Sequence, residues 1–397
     1  MIFFGYYFAL FSAIFFISYW SLPSRRFRRW LILAGCAAFY GYFAGPAGTL
    51  PVVVLAAGTY LAGLSGDRRV CGAWIAACVG ALAFYKYAYF LSASLVGALF
   101  PSLGAEAAAL AKSTLPAAPP LAISFFVFEF VHYLIEVSRG HRPIRSVQTF
   151  ALFVLFWPTL VAGPIKRYRQ FVPALGRGVR NVAASDVCIG LLRVASGVLK
   201  KFVADNLTAW IGDFEPRYDV DTVAMRWVFL AALGARILLD FSGYSDMAIG
   251  FARMMGIRVP ENFNWPYLAT GISDFWRRWH ISLSTWIRDY VYIPLGGSRA
   301  GAPRRAVNAL IAMSLCGLWH GAEWNFALWG IYHGCGLVAA TALGRVFALA
   351  PDTAKTWRIP IAIVGWSITI LFVHLGWLLF FYPAARAWQM AISLFGG

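Results

Sequence analysis

His280 and His320 are the residues of this chain best suited to move a proton. His280 lies in DFWRRWHISLSTWIRDYVYIPLGGSR (274–299), which sets four arginines, two aspartates and one histidine among three tryptophans and two tyrosines. His320 closes NALIAMSLCGLWH (308–320), an otherwise largely apolar run. Imidazole has the unperturbed pKa nearest neutrality, so it exchanges protons at working pH. Burial penalises the imidazolium form and keeps the ring usable as a general base. The competing account makes His320 a packing residue satisfied by its neighbours. For 274–299 the competing account is a surface-lying helix whose arginines hold lipid phosphates.

The second cluster, LWHGAEWNFALWGIYHG (318–334), adds His333. Thirteen residues of straight helix would put His333 about 20 Å from His320. The two come together only if the chain turns, and Gly321 is the place for it. Otherwise His333 packs or orients. Other chemistries fit poorly. No HExxH and no paired Cys/His spacing marks a zinc site, and no GxSxG elbow marks a serine nucleophile. The six cysteines sit in apolar surroundings without CxxC spacing and read as small core residues. His132, three residues after Glu129, is either a proton relay or part of a buried pair. His374 reads as core, and His141 falls in a basic loop.

The elements that must position these groups are membrane helices. Of 397 residues, 60% are hydrophobic and only 13% charged, where a soluble domain is about a quarter charged. Mean hydropathy is +0.66. Apolar runs of about 15–25 residues recur, each able to cross about 30 Å of hydrocarbon. We expect an all-α polytopic membrane protein of ten to eleven membrane helices, forming one domain over 1–397. The net charge of +17 fits lysines and arginines in cytoplasmic loops better than nucleic-acid binding. The first run (2–20) has no basic n-region and no cleavage site, and reads as a retained span. Runs 30–46 and 50–64 are joined by GPAG. Segment 70–100 is a long helix interrupted by Lys86, and 101–119 reads as an Ala/Pro-rich outer loop. Run 146–163 is basic at both ends and holds Trp157-Pro158 in its middle, so a re-entrant segment is expected. Residues 274–290 wind as one amphipathic helix with Phe275, Trp279, Leu283, Trp286 and Tyr290 on one face, suited to the membrane interface or to the wall of a polar cavity. Asp274 and Arg278 are one turn apart and can pair.

DFSGYSDMAIG (240–250), PENFNWPY (260–267), FWRRWHISLSTWIRDYVYIPLGGSR (275–299), LWHG (318–321) and VAGPIKRYRQF (161–171) resemble the membrane-bound O-acyltransferases. The nearest branch is the bacterial one typified by the membrane subunit of alginate O-acetylation, with the teichoic acid D-alanyl transfer protein and the peptidoglycan O-acetyltransferases as cousins. The resemblance spans essentially the whole chain. It implies tilted helices around a central tunnel, in a bacterial inner membrane. It implies a cytoplasmic acyl thioester donor such as acetyl-coenzyme A, no bound cofactor or metal, and an extracytoplasmic glycan or a periplasmic acetyltransferase partner. His320 matches the family's catalytic histidine, and His280 its second polar position. On that footing His280, Trp319 or Trp276 would donate to the developing oxyanion. Arg277, Arg278 and Arg288 would hold donor phosphates, or else lipid headgroups. A proton-coupled transporter or flippase of a glycan export complex, or an inactive scaffold of one, stand as alternatives.

Overall fold

The computed structural model describes residues 3, 5–114, 119–299, 301–348 and 358–396. Every regular element among them is helical. Among the described residues four helices are long and apolar enough to cross a membrane: Arg25–Ser65, Arg68–Leu99, Trp324–Leu343 and Ile359–Phe381. Tyr6–Ser21 and Val147–Thr159 are shorter apolar helices. The chain forms two compact units, residues 1–197 with 244–260, and 198–243 with 261–397.

In the first unit, the helix Arg25–Ser65 leaves helical geometry at Gly45 (φ 65°, ψ 177°), directly before Pro46. Glycine tolerates positive φ and proline cannot continue the hydrogen-bond ladder, so the GPAG signal breaks the run as expected. Asp67 starts the next helix by accepting from the N–H groups of Arg69 and Val70 at 2.8 and 3.0 Å, a capping arrangement worth about 1 kcal/mol. The expected loop at 101–119 is corrected: Pro101–Thr114 is a helix. Proline is pre-organised for the first helical turn, and the alanines that follow have the best helix propensity of any residue. Residues 115–118 of that segment lie outside the described residues.

The helix Val147–Leu155 ends at Phe156, and Trp157–Thr159 form a single 3-10 turn. Nine residues rise only about 13 Å, too little to cross. Trp157 is fully buried. It meets Phe11, Phe15 and Phe251 edge-on or tilted, with centroids 5.3–5.7 Å away. Nearby, Lys166 Nζ donates to Glu129 Oε1 at 2.5 Å, with both side chains buried. His132 Nδ1 lies 3.2 Å from the Phe128 carbonyl, and its Nε2 accepts from the Tyr168 N–H at 3.2 Å. Both ring nitrogens thus face backbone groups.

In the second unit, Gly301–His320 and Trp324–Ala348 form an antiparallel hairpin turning at Gly321. Their backbones touch: a Cβ on Gly317 would lie 2.1 Å from the Phe326 carbonyl oxygen, and one on Gly330 would lie 2.3 Å from that of Met313. Gly330→Leu is expected to force the helices apart and to cost at least the 1–3 kcal/mol or so of an overpacked core. Thermal unfolding in detergent checks this, and an unchanged Tm would contradict it. The single helix expected over 274–290 is also corrected. Ile272–Arg278 and Ile281–Ile287 are separate helices, broken where His280 takes φ 40°, ψ 56°.

Candidate active site

A non-glycine residue at positive φ is uncommon and costs of order 1–3 kcal/mol unless its surroundings hold it there. Here the surroundings hold His280. It is 1% exposed, and its backbone is flanked by the Ile281 N–H, which donates to the Asn262 carbonyl at 2.9 Å. The Asn262 side chain, itself fully buried, meets His280 Nδ1 at 3.2 Å through Oδ1. The same oxygen accepts from Ser282 Oγ at 2.6 Å and from the Ser282 backbone N–H at 3.4 Å.

Those contacts decide a tautomer. A backbone N–H only donates, so the Asn262 atom facing it is the oxygen. An amide oxygen only accepts, so His280 Nδ1 carries the proton. His280 Nε2 is then a bare lone pair, buried and without a hydrogen-bond partner among the described residues.

Aromatic rings enclose the site. Phe241 stands edge-on to His280 at 4.6 Å. Trp319 lies 6.0 Å from His280 and 4.7 Å from His320, so the two imidazoles meet the same indole. His320, half-buried, also meets Trp329 at 5.4 Å and Phe380 at 5.0 Å. Beyond Trp329, at 4.7 Å, is His333, which also faces Trp276 at 5.3 Å. The Gly321 turn thus brings His333 into the cluster. His333 is fully buried, and neither of its ring nitrogens has a partner among the described residues; the same holds for Nε1 of Trp276 and of Trp329. Unpaired buried polar groups are costly and call for an explanation.

Arg277, Arg278 and Arg288 are paired with aspartates. Arg278 donates to Asp274 at 2.8 Å, the expected pairing, while exposed Arg277 reaches the same carboxylate at 3.4 Å. Arg288, also exposed, is paired with Asp289 at 2.7 Å. His374 Nδ1 is bound to the Ile370 carbonyl at 2.8 Å, in keeping with a core role. Asn262 and Ser282 were missed as site residues by motif and charge. The only sequence signal for Asn262 was its place in PENFNWPY.

His280 sits between two seven-residue helices, outside the segments long enough to cross a membrane. Burial first, and then positive charge on His320, push its pKa well below the usual histidine value. The unfolded chain therefore takes up a proton below about pH 6.5 that folded His280 refuses, and stability falls as pH drops through that value. His280→Gln is expected to reduce the fall in Tm between about pH 7.5 and about pH 5.5. An unchanged slope would contradict a neutral His280 in the fold.

The fold and site define a helical membrane protein with buried imidazoles among indoles. Residues 117–384 match the membrane-bound O-acyltransferase family, MBOAT, and the matched segment contains every residue of the cluster. The chain is 38% identical over 394 residues to the probable alginate O-acetylase AlgI of Azotobacter vinelandii, covering 96% of this chain and 75% of the relative. It is 37% identical over 397 residues to that of Pseudomonas putida, covering 95% and 77%. To the peptidoglycan O-acetyltransferase of Helicobacter pylori it is 33% identical over 290 residues, covering 66% and 54%. The chain belongs to the membrane-bound O-acyltransferase family, and it is an acyltransferase of membranes. The transport alternative finds no support in these matches.

Proposed function

We propose that this protein transfers an acetyl group from a cytoplasmic thioester, acetyl-coenzyme A, to a hydroxyl of an extracytoplasmic polysaccharide, directly or through a periplasmic acetyltransferase partner. In this account it is a multi-pass protein of a bacterial inner membrane, one domain of ten to eleven membrane elements around a tunnel, with 146–163 re-entrant. The relatives act on alginate and peptidoglycan by their names, which supports a glycan acceptor.

The observation that carries the mechanism is the bare Nε2 of His280, its ring fixed by Asn262 and sharing the Trp319 indole with His320. His320 acts as general base. It takes the proton of the acceptor hydroxyl as that oxygen attacks the thioester carbonyl, which is worth about 10²–10⁴-fold. His280, held as the Nδ1–H tautomer, cannot donate from Nε2 to the oxyanion as first expected; Nε2 instead accepts from a second hydroxyl of the acceptor and so orients the attacking one toward the carbonyl. The indole N–H of Trp276 or Trp319 donates to the developing oxyanion. His333 braces Trp329 and Trp276 behind His320. The proton then passes from His320 to the departing thiolate, which leaves an ester and a free thiol. Arg277, Arg278 and Arg288 offer guanidinium donors to the donor's phosphates, after exchange with Asp274 and Asp289. Surrounding rings exclude water and protect the thioester from hydrolysis.

The test uses purified protein in lipid nanodiscs with radiolabelled acetyl-coenzyme A and an oligosaccharide acceptor. The expected result is alkali-labile label on the acceptor with release of free thiol. Retention of all label on the coenzyme, in the presence of acceptor and partner protein, would overturn the proposal. Cysteine accessibility at 146 and 163 tests the re-entrant segment, which requires both ends on one face.

A further inference from the structure

Arg177 and Arg258 are exposed guanidinium groups with neither an ion pair nor a hydrogen bond among the described residues. Both line one cleft of about 260 Å³ in the first unit, together with Arg167 and Gln170. Lys166 also lines it, but its ammonium is committed to buried Glu129. No carboxylate lines the cleft among the described residues.

Backbone packing holds the two arginines close. A Cβ on Gly178 would fall 2.7 Å from both the carbonyl carbon and oxygen of Gly256. Gly256 has φ +75°, and a Cβ there would lie 3.0 Å from the Gly178 Cα. Only glycine fits on either side. Arg177 directly precedes one glycine and Arg258 follows the other by two residues, so this contact ties their backbones together despite their like charge. A preference for basic residues in cytoplasmic loops accounts for the number of arginines. It does not account for two of them pinned at one cleft without a counter-charge.

We propose that this cleft binds a phosphate-bearing anion, its phosphate oxygens gripped by Arg177 and Arg258, with Arg167 and Gln170 completing the donor set. Guanidinium matches phosphate oxygens in a planar, two-point geometry. The shared chemistry is a phosphate or diphosphate group, supplied either by a soluble phosphate compound or by an anionic lipid headgroup.

The experiment compares the wild type, Arg177→Gln/Arg258→Gln and the control Arg180→Gln, all in nanodiscs. Arg180 is also exposed but does not line the cleft. One arm titrates inorganic pyrophosphate in phosphatidylcholine discs, and the other replaces part of the phosphatidylcholine by phosphatidylglycerol. Binding to the native state raises Tm. The expected result is a rise in wild type and control, with about a tenfold loss of apparent affinity in the double variant. A rise with pyrophosphate assigns a soluble source, and a rise with phosphatidylglycerol alone assigns a lipid. The same rise in double variant and control, or no rise in either arm, would overturn the proposal.

Discussion

His320→Ala is expected to lower acetyl transfer by about 10²–10⁴-fold, the usual worth of a positioned general base, with the protein still present in the membrane at its normal level. His320 is half-buried at the last position of its helix, beside the Gly321 turn. Loss of its ring removes contacts with Trp319, Trp329 and Phe380 but leaves the helix–helix contact at Gly317 and Gly330 intact. Catalysis and folding are therefore separable at this position. Transfer of labelled acetyl is read against membrane abundance by immunoblot. Wild-type transfer in the variant would remove His320 from the chemistry.

The second large effect is expected at Asn262. Asn262→Ala frees the His280 ring to flip and to change tautomer, and a drop in kcat of about 10–10²-fold is expected, within the range for misplacing a reacting group. Asn262 is buried and holds Ser282 as well as His280, so the alanine variant also loses stability. Asn262→Asp separates the two effects. Its carboxylate still accepts from Nδ1–H and should restore most of kcat. Its negative charge favours the imidazolium, so the acid limb of the pH–rate profile should move to higher pH. A merely structural Asn262 would not move that limb. Because His280 and Asn262 act as a unit, His280→Ala/Asn262→Ala should be no slower than His280→Ala alone. Additive losses would contradict the tautomer assignment.

The sequence made the histidines legible because each is a titratable group in an apolar run. It made the hairpin legible because Gly321 interrupts two helical patterns. The break at His280 was not legible. Phe275, Trp279, Leu283 and Trp286 keep helical spacing across it, and periodicity does not register one left-handed residue that restarts a helix on the same face. Nor was the His280–Asn262 contact legible, since its members lie eighteen positions apart across loop and helix. Pro101–Thr114 was missed because proline and alanine were read as loop composition, when proline at a first turn and alanine after it favour helix. The Asp274–Arg278 pair was legible because a four-residue spacing brings side chains together on a helix.

The central claim is that the acyl carbonyl sits beside the His280–His320 pair. The measurement is a structure of the protein in nanodiscs with a non-hydrolysable thioether analogue of acetyl-coenzyme A. The expected result places the analogue's carbonyl by His320, leaving room for a hydroxyl oxygen about 3–3.5 Å from the carbonyl carbon and in reach of the ring nitrogen. An analogue seated elsewhere, with the His320 ring packed against protein or lipid, would contradict it.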